Sequence, residues 1–203
     1  MGEYIENFVD ALPDPKRVKE IKKDLESKGV KYIYSHWIDF LGSPKTKPMP
    51  ISDFEDLCAG KGPQFAVHSV SFVPELGPAD NDQIPVPDLD SLLICPWDKT
   101  CAWVFSDLWW NGKPYDVCPR QTLKKQIKKN AEADLKFYVG MEPEFFVMKW
   151  EDGKPVKAID RDPIPLRRQA FGYDSEYSIE GMDFLKEIID ILNDDLKWDL
   201  HDV

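Results

Sequence analysis

Lys31-Tyr32-Ile33-Tyr34-Ser35-His36-Trp37-Ile38-Asp39-Phe40-Leu41-Gly42 is the stretch on which the fold turns. Tyr32, Tyr34 and His36 alternate with Ile33, Ser35 and Trp37, and β-branched and aromatic side chains dominate, which is the pattern of a strand. Upstream, Asp14 can cap a helix whose first residue is Pro15, and Gly29 suits its end. Val18, Ile21 and Leu25 recur at spacings of three and four and give that helix one apolar stripe. Downstream, residues 41–44 read as a turn, and residues 46–50 as a strand whose prolines confine it to a sheet edge.

The same reading continues outward. A short helix runs from Ser52 through Cys58, residues 64–73 are extended, and residues 74–87 read as a long Pro-, Asp- and Gly-rich loop. Short apolar strands cover 92–95 and 102–107, and Asn111-Gly112 is a strong turn signal. Cys118-Pro119-Arg120 opens a second amphipathic helix ending near Asp134, with Leu123 and Ile127 on one face. Strands are expected over 135–139 and 141–150, a loop-rich insertion over 154–178, a helix over 178–192 and the start of a strand over 196–203. Helices and strands mixed in this way read as α+β. A boundary falls near 113–118, and the part after it runs out before it could close a sheet.

Composition removes several classes of function. Lys and Arg total 26 against 37 Asp and Glu, a formal charge of −11, over 203 residues. A nucleic-acid binder needs clustered positive charge, and so does a protein that docks on anionic lipid. No apolar run approaches the ~20 residues of a membrane span, and the acidic start lacks a secretory apolar region. A soluble, cytoplasmic protein is expected. The four cysteines, at 58, 95, 101 and 118, form no C-x-x-C pair and are expected to be reduced and buried. Neither common phosphate loop occurs.

Chemistry concentrates in Gly140-Met141-Glu142-Pro143-Glu144-Phe145-Phe146-Val147. On a strand Glu142 and Glu144 would share a face, with Met141, Phe145 and Val147 turned to a core. Neighbouring carboxylates repel, and a divalent cation relieves that repulsion; hard oxygen donors suit Mg²⁺ or Mn²⁺. The other reading of the pair is a solvated acidic edge strand, which Pro143 also fits. Asp39 stands at a strand end before a glycine turn, where it either caps the turn or presents a carboxylate for chemistry.

W-I-D-F-L-G-S-P-K-T-K at 37–47, P-V-P-D at 85–88, C-P-R at 118–120 and G-M-E-P-E-F-F-V at 140–147, in this order and spacing, resemble the glutamine synthetase family. C-P-W followed by A-W-V, and an insertion with Tyr173-Asp174, look most like its type III or γ-glutamylmethylamide synthetase-like branch. The resemblance implies a lead-in over 1–16, a β-grasp-like amino-terminal domain over 17–114 and the first part of a catalytic domain over 115–203. It implies an ATP-dependent ligase joining ammonia or a small amine to the γ-carboxylate of glutamate, with Mg²⁺ or Mn²⁺ as cofactor and ATP as co-substrate. Double-ring homo-oligomers, with each active site between two subunits, are implied as well.

By the same resemblance Glu142 and Glu144 match the two glutamates of the first carboxylate motif, which serve two separate metal sites. Asp39 matches the aspartate that the amino-terminal domain lends to a neighbouring subunit's ammonium pocket. Arg120 is read as a structural helix-start residue. The family's second carboxylate motif, with its H-E and G-Q-x-E elements, does not occur in these residues, and His201 stands too early to match it. A truncated ligase, inactive alone and prone to self-association, is therefore expected. The alternative is a non-catalytic β-grasp module that associates with full-length subunits.

Overall fold

The structure is a computed structural model that describes residues 12–67, 76–158, 175, 179, 181–198 and 200. It forms two compact units, Met1–Phe137 and Tyr138–Val203.

In the first unit, α1 (Pro15–Ser27) starts where the sequence places it. The Asp14 carboxylate accepts a bond from the Lys16 N–H at 3.2 Å, and Gly29 at φ +86° turns the chain out of the helix. β1 (Tyr32–Ile38) follows and pairs antiparallel with β2 (Pro44–Pro50). Its other neighbour is β5 (Cys101–Trp110), in parallel. β3 (Ile84–Pro87) lies antiparallel on the far side of β5, giving the order β2-β1-β5-β3. β4 (Leu93–Ile94) and β6 (Lys113–Pro114) also pair with β5 and complete a six-stranded mixed sheet. Asn111 and Gly112, at φ +52° and +76°, make the left-handed turn between β5 and β6. With its helices this unit is α+β.

β3 corrects the expectation of an unbroken loop over residues 74–87. Pro85 and Pro87 lack N–H donors, yet an edge strand tolerates them because only one side of it is paired. Phe65 and Gln83 form an isolated bridge that leads into this edge. The rest of the expected extended segment, 68–73, lies outside the described residues.

One face of the sheet carries the main core. Val18 and Leu25 of α1 meet Ile33, Ala102, Val104 and Met49, together with Phe54 and Leu57 of α2 (Phe54–Cys58). Each fully buried side chain of this size contributes about 1.5–3 kcal/mol over exposure. Ser35 and Ser106, on the same face, share a buried hydroxyl hydrogen bond of 2.8 Å. The opposite face of β5 carries Phe105 and Asp107, since side chains alternate along a strand. There α3 (Pro119–Glu132) sets Arg120 5.8 Å above the Phe105 ring. All four cysteines are buried and free.

The chain departs from the sequence expectations after α3. Residues 135–147 form neither helix nor strand, and Met141, Phe145, Phe146 and Val147 are exposed rather than turned to a core. A strand needs a ladder partner, and among the described residues the segment has none until Val147 accepts the Ala158 N–H at 3.1 Å. In the second unit β7 (Met148–Glu151) and β8 (Lys154–Lys157) form an antiparallel hairpin. Asp152 and Gly153, at φ +49° and +74°, make its turn. α4 (Met182–Asp190) runs into one π-helical turn, Ile191–Asp195, and Phe184 packs edge-to-face on Phe145 at 6.1 Å. The strand expected over 196–203 does not begin where the sequence places it. The Leu196 and Trp198 N–H groups, each at 2.9 Å, donate back to the carbonyls of Ile191 and Leu192, and Lys197 is left-handed. That is a helix ending. No helix among the described residues is long and apolar enough to cross a membrane.

Candidate functional site

Asp39 stands where β1 ends. Its side chain is nearly buried, and both carboxylate oxygens are engaged, one by the turn that follows and one by β2. Oδ1 accepts the backbone N–H of Leu41 at 2.9 Å and of Ser43 at 2.8 Å, and Oδ2 pairs with Lys45 Nζ at 3.3 Å. Gly42, at φ +77°, lets the chain close around it. Burial alone would push the Asp39 carboxyl up. The bonds from Ser43, Lys45 and Leu41 outweigh burial and hold it below its ordinary value. The geometry is that of a turn cap with a lysine partner, and the neighbouring Phe40 and Leu41 are exposed at the same tip.

Glu142 and Glu144 lie on the irregular, exposed segment that precedes β7. They are two hard oxygen donors two residues apart, the chemistry that Mg²⁺ or Mn²⁺ takes. No group of three or more His, Cys, Asp or Glu side chains able to hold a metal occurs among the described residues. The pair therefore fits such an ion in donor type and falls short in donor number. Glu142 and Glu144 share one segment of the second unit, whereas Asp39 belongs to the first.

The structure also assembles a polar centre that sequence reasoning missed. Asp107 is fully buried in the middle of β5. Its Oδ1 accepts from Arg120 Nε at 2.9 Å, and its Oδ2 accepts from Gln121 Nε2 at 3.3 Å and from Lys124 Nζ. Asp88, just after β3, takes the other side of both cations, from Arg120 Nη2 at 2.8 Å and Lys124 Nζ at 3.5 Å. Two carboxylates thus clamp two cations that are one helical turn apart. A buried charge is tolerable only when paired in this way. The network ties the start of α3 to the sheet and gives Arg120 the structural part expected of it. The available signal was the aspartate inside the apolar run A-W-V-F-S-D-L-W-W at 102–110.

His36 stands on the same sheet face, among Trp103 at 5.4 Å, Phe105 at 6.0 Å and Tyr34 at 6.4 Å between ring centroids. Burial lowers its pKa, so the imidazole is neutral at neutral pH.

Comparisons with known proteins agree with the resemblance. Residues 116–199 match the family model described as glutamine synthetase, catalytic domain. A glutamine synthetase of Rhizobium meliloti (strain 1021) is 31% identical over 165 residues, 81% of this chain and 36% of that protein. A glutamate–methylamine ligase of Methyloversatilis universalis is 31% identical over 147 residues, 71% of this chain and 33% of that protein. This chain spans about a third of the length of these curated relatives. The solved structure titled "Apo GmaS without ligand" has the same fold over 88% of this chain and 40% of that one, with a TM-score of 0.67 at 23% identity.

Proposed function

We propose that this chain, which belongs to the glutamine synthetase family, is the amino-terminal part of an ATP-dependent carbon–nitrogen ligase. The reaction would join ammonia or a small amine to the γ-carboxylate of glutamate. The observation that carries this reading is G-M-E-P-E-F-F-V at 140–147, standing in order after the W-I-D-F-L-G, P-V-P-D and C-P-R elements, within a chain whose 116–199 match the catalytic-domain model. One similar protein is named a glutamine synthetase and another a glutamate–methylamine ligase, so ammonia and methylamine both belong in the proposal as acceptors. Support for a β-grasp-like first domain comes from the order β2-β1-β5-β3, with its β1–β2 hairpin and central parallel β1/β5 pair.

In this reading Glu142 and Glu144 would each contribute an oxygen to one of two Mg²⁺ or Mn²⁺ sites, and the ions supply charge neutralisation for phosphoryl transfer from ATP. A site needs more donors than these two, so this span alone is expected to turn over little. Asp39 would face the amine pocket of a neighbouring copy in a homo-oligomer. Its Oδ1 is committed to two turn amides, which leaves Oδ2 as the oxygen that could exchange Lys45 for an ammonium ion. A carboxylate there would concentrate the cation and accept its proton, leaving the neutral nucleophile.

The experiment is ADP release by the complete polypeptide that the gene encodes, with glutamate and either ammonium or methylamine. Amine-dependent release that falls at least 10²-fold in Glu142→Gln is expected. Release that no amine stimulates would overturn the proposal.

A further inference from the structure

We propose that a cavity beside α3 in the first unit binds a small, multiply charged anion of the phosphate class, independently of Glu142 and Glu144. The cavity holds about 360 Å³ and is lined by Lys113, Pro114, Asp116, Gln121, Lys124, Lys125 and Lys128. That volume lies within the range of small-molecule sites. Of its four lysines, Lys124 is paired with Asp107 and Asp88 and Lys125 with Asp116, which leaves the charges of Lys113 and Lys128 to make the cavity locally positive in a chain whose formal charge is −11. A concave surface of one sign focuses the field and concentrates counter-ions of the other.

The spacing explains the convergence. Gln121, Lys124, Lys125 and Lys128 stand at i, i+3, i+4 and i+7 on α3 and so share one helical face. Lys113, on the short β6, also lines the cavity. Two of the lining groups are held in place, since Gln121 and Lys124 both bind the buried Asp107 carboxylate. Lys125 is paired with Asp116 at 2.6 Å. Among the described residues the ammonium group of neither Lys113 nor Lys128 makes a hydrogen bond or close ion pair; Lys113 adds to the positive field on Asp116, whose carboxyl Lys125 and Lys113 together hold below its ordinary value. Ammonium groups on flexible stems recognise phosphate as point charges. Asp116 is the single opposing charge on the wall, and Lys125 already engages it.

Isothermal titration calorimetry of the full chain with inorganic pyrophosphate tests this, at low salt and with a chelator present to exclude any metal-bridged binding. A parallel titration with inorganic phosphate distinguishes a single phosphate from a linked pair. Saturable binding of pyrophosphate is expected, weakened ten-fold or more by Lys113→Gln with Lys128→Gln and unchanged by Lys19→Gln with Lys23→Gln on α1. All four side chains are exposed, so both double variants should keep the wild-type circular dichroism spectrum. Asp116→Asn should tighten binding several-fold, a gain that unfolding could not imitate. Absent binding, equal loss in both double variants, or no gain in Asp116→Asn would each overturn the proposal.

Discussion

Replacing Asp107 by Asn should destabilise the first unit far more than replacing Asp116 by Asn, although both carboxylates pair with lysines of α3. Asp107 is wholly buried, and its partners Arg120 and Lys124 retain 26% and 13% exposure. Asn keeps the shape and one acceptor oxygen but removes the charge, leaving Asp88 to balance two half-buried cations at 2.8 and 3.5 Å. Breaking a buried pair by removing one partner costs about 3–5 kcal/mol, and the surviving Asp88 should reduce this to about 2–3 kcal/mol. Asp116 and Lys125 are 81% and 50% exposed, where solvent and salt screen the pair, so Asp116→Asn should leave stability unchanged. Urea unfolding followed by tryptophan fluorescence reads the difference, because Trp37, Trp97, Trp103, Trp109 and Trp110 all lie in this unit. With a slope of about 1–3 kcal/mol per molar urea, the Asp107 midpoint should fall by about 0.7–3 M. Equal midpoints for the two variants would refute the argument that burial, rather than pairing as such, gives the network its weight.

The remaining expectations concern single residues. Gly62→Ala should lower the melting temperature, since an added Cβ would sit 2.9 Å from both Leu57 Cα and Leu57 Cδ1, and the backbone atom cannot rotate away. Cys58, pushed up to about 12 by burial and by the nearby Glu55, should resist a thiol reagent at pH 8 until the chain is unfolded; rapid labelling of the folded chain would contradict this. Asp39→Asn should cost stability at neutral pH. Because the folded Asp39 carboxyl is held below its ordinary value, its contribution is complete above about pH 4 and is lost as pH falls through the folded value, so variant and wild type should converge in acid. Stability equal to wild type at neutral pH would contradict the cap, and turnover of the complete polypeptide that survives Asp39→Asn would contradict the part proposed for Oδ2. Mn²⁺ should bind this chain with a Kd on the order of 1 mM and more weakly in Glu142→Gln. Electron paramagnetic resonance showing micromolar binding that survives the substitution would place the metal elsewhere.

What could be read from the sequence was what neighbouring residues decide. Asp14-Pro15 with Gly29 set the bounds of α1, and Asn111-Gly112 set the turn after β5, because caps and left-handed turns depend on a few adjacent side chains. The alternation in 31–40 gave β1. What could not be read depended on partners distant along the chain. β3 is a strand because β5 lies beside it, despite two prolines that locally argue for a loop. Residues 141–147 have the composition of a strand and form none, and among the described residues no ladder partner stands beside them. At the candidate site, the turn at Asp39 could be read from Leu41-Gly42, whereas the pairing of Asp39 with Lys45 depends on how the β1–β2 hairpin closes. The Asp107 centre joins groups 13 to 36 residues apart, so the sequence revealed only an oddly placed charge.

The most direct test of the ligase account is the fate of labelled nitrogen. The complete polypeptide, given ATP, Mg²⁺, glutamate and ¹⁵N-ammonium or ¹⁵N-methylamine, should place the label in the γ-amide of the product, as read by mass spectrometry. Glu142→Gln and Glu144→Gln should each suppress that product while leaving the fold of the first unit unchanged. A complete polypeptide that yields no γ-labelled product with either amine, or one whose yield is indifferent to both substitutions, would contradict the account.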